Sequence, residues 1–270
     1  MHYLKLVDNT EEICNMKTII SLLTRFIPRK LLQPLAQFGS KFISLFYFGS
    51  KFYCIICNKK FRKLLPYGRL KSRENALCPN CLSLERHRLM WYYLKNNTNF
   101  FTQKLKVLHF APEICFVNRF KKLSNLNYIT ADLESPWAMV KMDIHNIQFA
   151  DNNFDVVFCN HVLEHVDNDL KAMSEIYRVL KPNGWAIIQS PQDWNLETTY
   201  ENNSITDPLE REKHFGQADH LRIYGKDYGK RLSSVGFNVE ENKLVYNLNE
   251  KVVLKNCFSP NEVIYLCKKS

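Results

Sequence analysis

The sequence predicts an α/β protein whose parallel sheet follows a small cysteine-built module. Three observations predict it. From Leu105 onward, short apolar runs alternate with helical patterns; ahead of that region four cysteines form two tight pairs; and positive charge is concentrated in the same front third. Strands alternating with helices imply βαβ units and so a parallel sheet. A chain of 270 residues that is 46% hydrophobic can bury a full α/β core and still carry a small extra module.

Residues 1–50 read as a basic amphipathic arm. Ile19, Leu22, Leu23, Phe26 and Ile27 would line one helical face, and Leu31, Leu32, Leu35 and Phe38 another, with Pro28 between them. Such an arm packs against the main domain, which is the preferred reading, or lies through residues 17–48 on an anionic membrane. No run approaches the roughly 18 apolar residues that a membrane span requires. Arg25, Pro28, Arg29 and Lys30 cut short the one stretch that faintly suggests a signal peptide. A cytoplasmic protein is expected. Up to Lys104 there are 18 Lys and Arg against 5 Asp and Glu, and thereafter 19 against 22. That asymmetry suggests contact with something anionic: a nucleic acid, a membrane surface or a phosphorylated substrate.

Residues 51–95 read as a zinc-ribbon module with its linking helix. Cys54 and Cys57 form one C-x2-C pair, Cys78 and Cys81 a second, 20 residues apart. Two such knuckles converge four thiolates on a tetrahedral ion and leave no position for water, so the expected zinc is structural. It would contribute on the order of 10 kcal/mol to a module with little core of its own. Disulfide pairing and a thioredoxin-like motif are the rivals, and the reducing pattern of the remaining cysteines (Cys14, Cys115, Cys159, Cys257 and Cys267, all in apolar stretches) argues against them. Lys59, Lys60, Arg62, Lys63, Arg69, Lys71 and Arg73 lie between the pairs with Phe61 and Tyr67, a mixture that can hold phosphates and stack bases or simply form a solvated loop. The run from Cys81 continues as a helix reaching Leu94.

Residues 104–270 read as the main domain. Leu105–Phe110, Leu126–Thr130, Phe154–Cys159, Trp185–Gln189 and Glu262–Cys267 are the expected strands. Residues 167–180 and Tyr228–Val235 are the expected helices, the first with Asp167 and Asn168 as cap candidates, the second stopped by Gly236. Lys181-Pro182-Asn183-Gly184 reads as a turn, and the long polar segment from Gln192 to Arg222 as a functional loop.

Acidic residues stand at nucleotide-site spacing in this domain. The loop after the first strand is His109-Phe110-Ala111-Pro112-Glu113, and Asp132 ends the second strand 21 residues beyond Ala111. A carboxylate so placed can accept hydrogen bonds from both hydroxyls of a ribose. Asp143-Ile144, Phe154–Val157, Leu163-Glu164-His165 and Arg178-Val179-Leu180-Lys181-Pro182-Asn183-Gly184 follow. On these residues the region from about Lys104 to Lys268 resembles the class I S-adenosylmethionine-dependent methyltransferases, type-11 group. The resemblance implies a Rossmann-like seven-stranded methyltransferase sheet, its last strand antiparallel, with S-adenosylmethionine over the strands' carboxyl ends. By position it implies that Asp132 binds the ribose, that Asp143 and Ile144 border the adenine, and that Asn160 flanks the methyl-transfer site.

The loop departs from the family. Where an acidic residue and Gly-x-Gly-x-Gly are usual, His109 replaces the acid, Ala111 the first glycine and Glu113 the second. Either Glu113 turns inward and takes the cofactor's ammonium group, the favoured reading, or the loop closes the site and the fold is an inactive scaffold.

The histidines complete the candidate list. His161 and His165 match the H-x-x-E-H pattern of inverted zinc proteases, but on a strand-to-helix turn the methyltransferase reading explains them without a metal. His161 and His220 are the candidate catalytic residues; His220, beside Asp219, suits a general base on a hydroxyl acceptor, with Arg222 and Tyr224 orienting the acceptor. The expected reaction is methyl transfer to an oxygen or nitrogen of a small-molecule or carbohydrate-type acceptor. RNA is the alternative acceptor, since zinc-ribbon fusions to this domain resemble ribosomal-RNA guanine methyltransferases; the absence of an Asn-Pro-Pro-Tyr-type motif counts against it.

Overall fold

A computed structural model describes residues 29–68 and 72–270. The first face expected for the arm, Ile19 to Ile27, lies outside the described residues, as does Cys14. Helix α1 (Arg29–Phe46) includes Leu35 and Phe38 of the second. Its serines meet the cysteine module: Ser40 and Ser44 are buried, and Ser40 Oγ donates to the Asn80 carbonyl at 3.4 Å. Leu35, Phe38, Phe42, Leu45 and Phe46 instead share an exposed stripe. The expected packing of the arm's apolar face on the domain is therefore not what the described residues show. No helix among them is long and apolar enough to cross a membrane.

Two antiparallel hairpins follow, β1 (Phe48–Cys54) with β2 (Lys59–Phe61) and β3 (Leu65–Tyr67) with β4 (Arg73–Leu77). Asn58 and Leu82 take positive φ of 54° and 59° beside the two C-x2-C knuckles, the sharp reversals that bring each cysteine pair onto one side. Phe61 is buried in the core rather than available for stacking on a base, while Tyr67 is exposed. Helix α2 (Glu85–Asn97) leads on, burying Leu89, Met90, Tyr93 and Leu94.

The main domain begins with β5 (Leu105–Phe110), α3 (Ile114–Phe120), β6 (Leu126–Asp132), β7 (Val140–Lys141) and β8 (Phe154–Asn160). After β8 come α4 (Asp169–Val179), β9 (Leu180–Gln189), a clip of β10 (Tyr200–Glu201) and β11 (Arg222–Ile223) enclosing α5 (Pro208–Phe215), then α6 (Tyr228–Ser234), β12 (Asn238–Asn242), α7 (Glu250–Asn256) and β13 (Ile264–Lys268). Seven strands form one sheet in the order β12-β13-β9-β8-β5-β6-β7. β5, β6, β7, β8 and β9 are parallel, and β13 runs antiparallel between β9 and β12. This is the Rossmann-like methyltransferase sheet, with its last strand reversed.

Period-two alternation sends the two faces of the sheet into different layers. Leu108, Phe110, Val157, Cys159, Ala186 and Ile188 pack with α4 and α6. Val107, Val156, Phe158, Ile187, Ile264 and Leu266 pack on the other side with α2, α3 and the buried Cys54, Ile56, Phe61 and Leu64 of the cysteine module. The module and the sheet thus share one core. Arg88 fastens the joint: wholly buried, it donates to the carbonyls of Ala76 (3.0 Å) and Ser83 (2.8 Å) on one side and of Asn256 (2.8 Å) and Cys257 (2.7 Å) on the other.

Three local expectations shift. Asn168, not Asp167, caps α4, its side chain accepting from the Lys171 N–H at 2.9 Å. The expected turn at Lys181–Gly184 is a bulge inside β9: pairing jumps from Phe154–Leu180 to Val156–Trp185, with Asn183 at φ 63°. A Cβ on Gly184 would come within 2.8 Å of the Lys181 carbonyl, which is why glycine stands there. The Gln192–Arg222 segment is not wholly loop, since Asp207 accepts from the Leu209 and Glu210 amides and starts α5.

Candidate functional site at the carboxyl ends of the strands

The paired registers Phe110–Ala131, Phe110–Cys159 and Asn160–Gln189 align the carboxyl ends of β5, β6, β8 and β9 on one edge. The loops leaving that edge carry the candidate residues. Ala111 adopts φ 46°, the left-handed conformation that glycine supplies in most such turns. The rewritten loop therefore keeps the backbone shape that its lost glycine would give.

Glu113 turns inward at the start of α3. Its Oε2 lies 2.6 Å from His109 Nε2, and its Oε1 accepts from Asn160 Nδ2 at 3.2 Å and stands 3.6 Å from His87 Nε2. Burial would raise the Glu113 pKa, but the charge and hydrogen bond of His109, with His87 behind them, hold it at about 2. His109 is fully buried, with Nδ1 2.7 Å from the Tyr128 hydroxyl. A negative charge is thus restored at the end of β5, folded back over the histidine that stands in the acid's place. His87 accepts from the Leu84 N–H through Nδ1, so its Nε2–H faces the carboxylate, and burial keeps the ring's pKa well below its ordinary value. Neither His87 nor Tyr128 was singled out from the sequence; a lone His in a helix and a Tyr in a strand carry no spacing signal.

Asp132 ends β6 with Oδ1 accepting from the Glu134 and Ser135 amides, both at 2.7 Å. One oxygen shapes the turn, and Oδ2 is left for a ligand. Asp143 is exposed, and the His145 backbone N–H, with the His145 ring, holds its carboxyl below the usual range. Ile144 is buried in the main core, so its side chain does not present itself at a ligand surface as expected; only its backbone can. Asn160 is buried, and its Oδ1 has no hydrogen-bond partner among the described residues. A buried acceptor left open between Glu113 and the sheet edge fits a cationic or N–H-bearing ligand.

Beside this edge a cleft of about 320 Å³ is lined by Arg86, His161, Ser190, Gln192, Trp194 and Glu262, among others. His161 sits at φ 54° immediately after β8 and lines the cleft. Buried Arg86 Nε, His161 Nε2 and Gln192 Nε2 lack partners among the described residues, and all three residues line the cleft. His220 does not line this cleft. It is buried, with Nδ1 3.1 Å from the Phe215 carbonyl and its ring 4.7 Å from that of His165. Arg222 and Tyr224 are likewise buried and committed to the Leu163 carbonyl and, for Tyr224, Asp169. The expected roles of His220 as base and of Arg222 and Tyr224 as acceptor-orienting groups do not match these positions.

The four cysteines converge. All four sulfurs lie within 4.8 Å of one another, with Cys54–Cys81 at 3.6 Å and Cys57–Cys78 at 3.7 Å, and none is disulfide-bonded. Tetrahedral Zn–S bonds of about 2.3 Å separate sulfurs by about 3.8 Å, so the quartet fits that ion.

Residues 110–188 match the family model described as Methyltransferase domain, of the type-11 group. The chain is similar to an uncharacterized protein of Methanocaldococcus jannaschii, 33% identical over 126 residues that cover 47% of this chain and 46% of that protein. It is also similar to a ubiquinone/menaquinone biosynthesis C-methyltransferase of Desulfotalea psychrophila, 43% identical over 42 residues, 16% of this chain and 17% of that protein. The chain spans less than half the length of these curated relatives. Among solved structures it is similar to a SAM dependent methyltransferase from Archaeoglobus fulgidus, with 19% identity, a TM-score of 0.44, and coverage of 67% of this chain and 93% of that one. The family match runs from the end of β5 to the end of β9, the segment that carries Asp132 and Asn160 at strand ends and Asp143 in the loop after β7. The match supports a methyltransferase-type domain over residues 110–188, and those residues sit on the Rossmann-like sheet.

Proposed function

We propose that the chain transfers a methyl group from S-adenosylmethionine to an oxygen or nitrogen of a small-molecule or carbohydrate-type acceptor. The observation that carries this reading is the inward Glu113 carboxylate beside the open Asn160 Oδ1, at the strand edge spanned by the family match. Asp132 Oδ2 would take the ribose hydroxyls, Asp143 with the Ile144 backbone would border the adenine, and Glu113 with Asn160 would face the amino-acid end. The cofactor supplies an electrophilic methyl group. Ala111 keeps the loop open for it, and His161 stands on the cleft wall where an acceptor hydroxyl or amine would lie. With Arg86 and Gln192, His161 offers ring, guanidinium and amide nitrogens to an oxygen-rich acceptor. Positioning in line does most of the work in such a displacement. A structural zinc ion held by Cys54, Cys57, Cys78 and Cys81 would fix the module under the sheet.

Label transfer from methyl-labelled S-adenosylmethionine to a panel of sugar and small-molecule hydroxyls and amines tests the reading. Incorporation that falls at least tenfold in His161→Ala supports it. Labelling of RNA alone would move the acceptor to nucleic acid, an outcome that the exposed Lys59, Lys60, Arg62 and Lys63 of the β2 hairpin would accommodate. No labelling, together with no cofactor binding, would leave a zinc-dependent binding protein. The exposed stripe of α1 and the nearby Lys41 and Lys51 support a second contact, with an anionic membrane surface. Co-sedimentation with phosphatidylserine vesicles that is lost in Phe42→Ser/Phe46→Ser is the expected result; equal sedimentation of the variant would refute it.

A further inference from the structure

We propose that Glu164, His165 and His220 form a second metal site, separate from the cysteine quartet, which takes a divalent transition ion such as Zn2+ through one carboxylate oxygen and two imidazole nitrogens. The three side chains come from two segments far apart in sequence. Glu164 and His165 belong to the 3-10 turn Leu163–His165 that follows β8, and His220 stands just ahead of β11. The backbone clamps these segments together: Leu221 N–H donates to the Glu164 carbonyl at 2.8 Å, and buried Arg222 donates to the carbonyls of Leu163, Val166 and Asp167 at 2.6–2.9 Å. The potential ligand atoms of the three residues then lie within 4.8 Å of one another.

Two of these atoms are left without a hydrogen bond. Glu164 is 1% exposed and His220 5%, yet Glu164 Oε1 and His220 Nε2 are buried without a hydrogen-bond partner among the described residues. Glu164 Oε2 is satisfied by the Ser190 hydroxyl at 2.9 Å, while Oε1 has only His161 Nδ1 at a long 3.3 Å. An ionised carboxylate with an open lone pair in the interior is costly unless a cation meets it.

The histidine tautomers are also those that a metal requires. His220 Nδ1 lies 3.1 Å from the Phe215 carbonyl, and His165 Nδ1 lies 3.1 Å from the Asp219 carbonyl. A carbonyl only accepts, so each Nδ1 carries the proton and each Nε2 presents a lone pair. Ligating histidines ordinarily have this support, donating their second nitrogen to a carbonyl or carboxylate. Two imidazoles and one carboxylate suit zinc and other transition ions and leave a position open. The residues differ from those of the H-x-x-E-H reading, in which His161 and His165 would bind together; His161 instead lines the cleft. An ion at this site would tie the β10–β11 insertion to the turn after β8 and so border the proposed acceptor wall, although the site does not depend on the methyl-transfer reading.

Metal content of the untagged full chain after equilibration with Zn2+ and dialysis tests the proposal. Two zinc ions per chain are expected in wild type and one in His165→Ala. Because that residue is exposed, a single cooperative melting transition of the variant loaded with one equivalent of Zn2+, matching that of wild type loaded likewise, confirms that the variant folds. Glu164→Gln serves as a second variant, with Zn2+ affinity of the weaker site expected to fall at least tenfold. Titration with Co2+ separates the sites: one equivalent gives thiolate charge-transfer absorption, and the other gives d–d absorption without it. A single zinc in wild type, or a second zinc retained undiminished in His165→Ala, would overturn the proposal.

Discussion

His109 and Glu113 face each other at 2.6 Å, nitrogen to oxygen, across the one turn that separates the end of β5 from α3. The pair makes an acid-sensitive contribution to folding. The Glu113 pKa is about 2 in the folded protein against an ordinary 4.5, so its stabilisation is present in full above about pH 4.5 and is lost as pH falls toward 2. It amounts to about 3 kcal/mol. Urea unfolding at pH 6 and pH 3 should show a steeper acid loss in wild type than in Glu113→Gln, which carries no titrating carboxylate. Parallel losses would show that the pair does not stabilise the loop.

Ala111 pays a conformational cost at φ 46° that glycine would not. Left-handed backbone costs an L-residue about 1–2 kcal/mol, and the freedom of glycine in the unfolded chain offsets part of that gain. Ala111→Gly should therefore unfold at a denaturant concentration equal to or above that of wild type, with a gain of up to about 1 kcal/mol. Ala111→Val should lose more than about 1 kcal/mol, because a β-branched side chain resists this conformation. A destabilised glycine variant would contradict the assignment of strain to this residue.

Arg88 joins the cysteine module to the C-terminal segment through four carbonyls. Replacing it with Met leaves those buried acceptors unpaired, at a cost of at least about 3 kcal/mol. Chemical denaturation measures this directly. Because module and sheet share a core, Arg88→Met should lower a single cooperative transition; a separate early transition for the module would show that the two units unfold independently.

Asp132 has a structural oxygen and a free one, and two substitutions separate their roles. Asp132→Asn keeps an acceptor for the Glu134 and Ser135 amides, so stability should change by less than about 1 kcal/mol. Affinity for S-adenosylmethionine should fall at least tenfold, about 1.4 kcal/mol. Asp132→Ala should add the loss of the turn. Wild-type affinity in the Asn variant would remove Asp132 from the cofactor site.

Much of this arrangement was legible in the sequence because it rests on short-range signals. Short apolar runs rich in β-branched and aromatic residues, such as Phe154–Cys159, mark buried strands, and the step from Ala111 to Asp132 follows from one βαβ unit. The C-x2-C pairs do the same for the quartet, because each knuckle is local. What stayed hidden depends on contacts between distant segments. Nothing near His220 in the chain announces Glu164 and His165, and nothing near Arg88 announces Asn256. Ile144 reads as a site residue because it follows Asp143, yet the turn beyond β7 carries its side chain into the core. The arm misled for a different reason: helical periodicity marks an apolar face but does not say whether protein, lipid or water meets it.

Isothermal titration calorimetry with S-adenosylmethionine, on wild type and Glu113→Gln, tests most directly whether the rewritten loop still holds the cofactor. Saturable one-to-one binding by wild type is expected, weakened at least tenfold in the Gln variant while Ala111→Gly binds as wild type does. Absence of binding heat from a folded, zinc-loaded wild-type chain would contradict it, and would show that Glu113 fills the place the cofactor was expected to occupy.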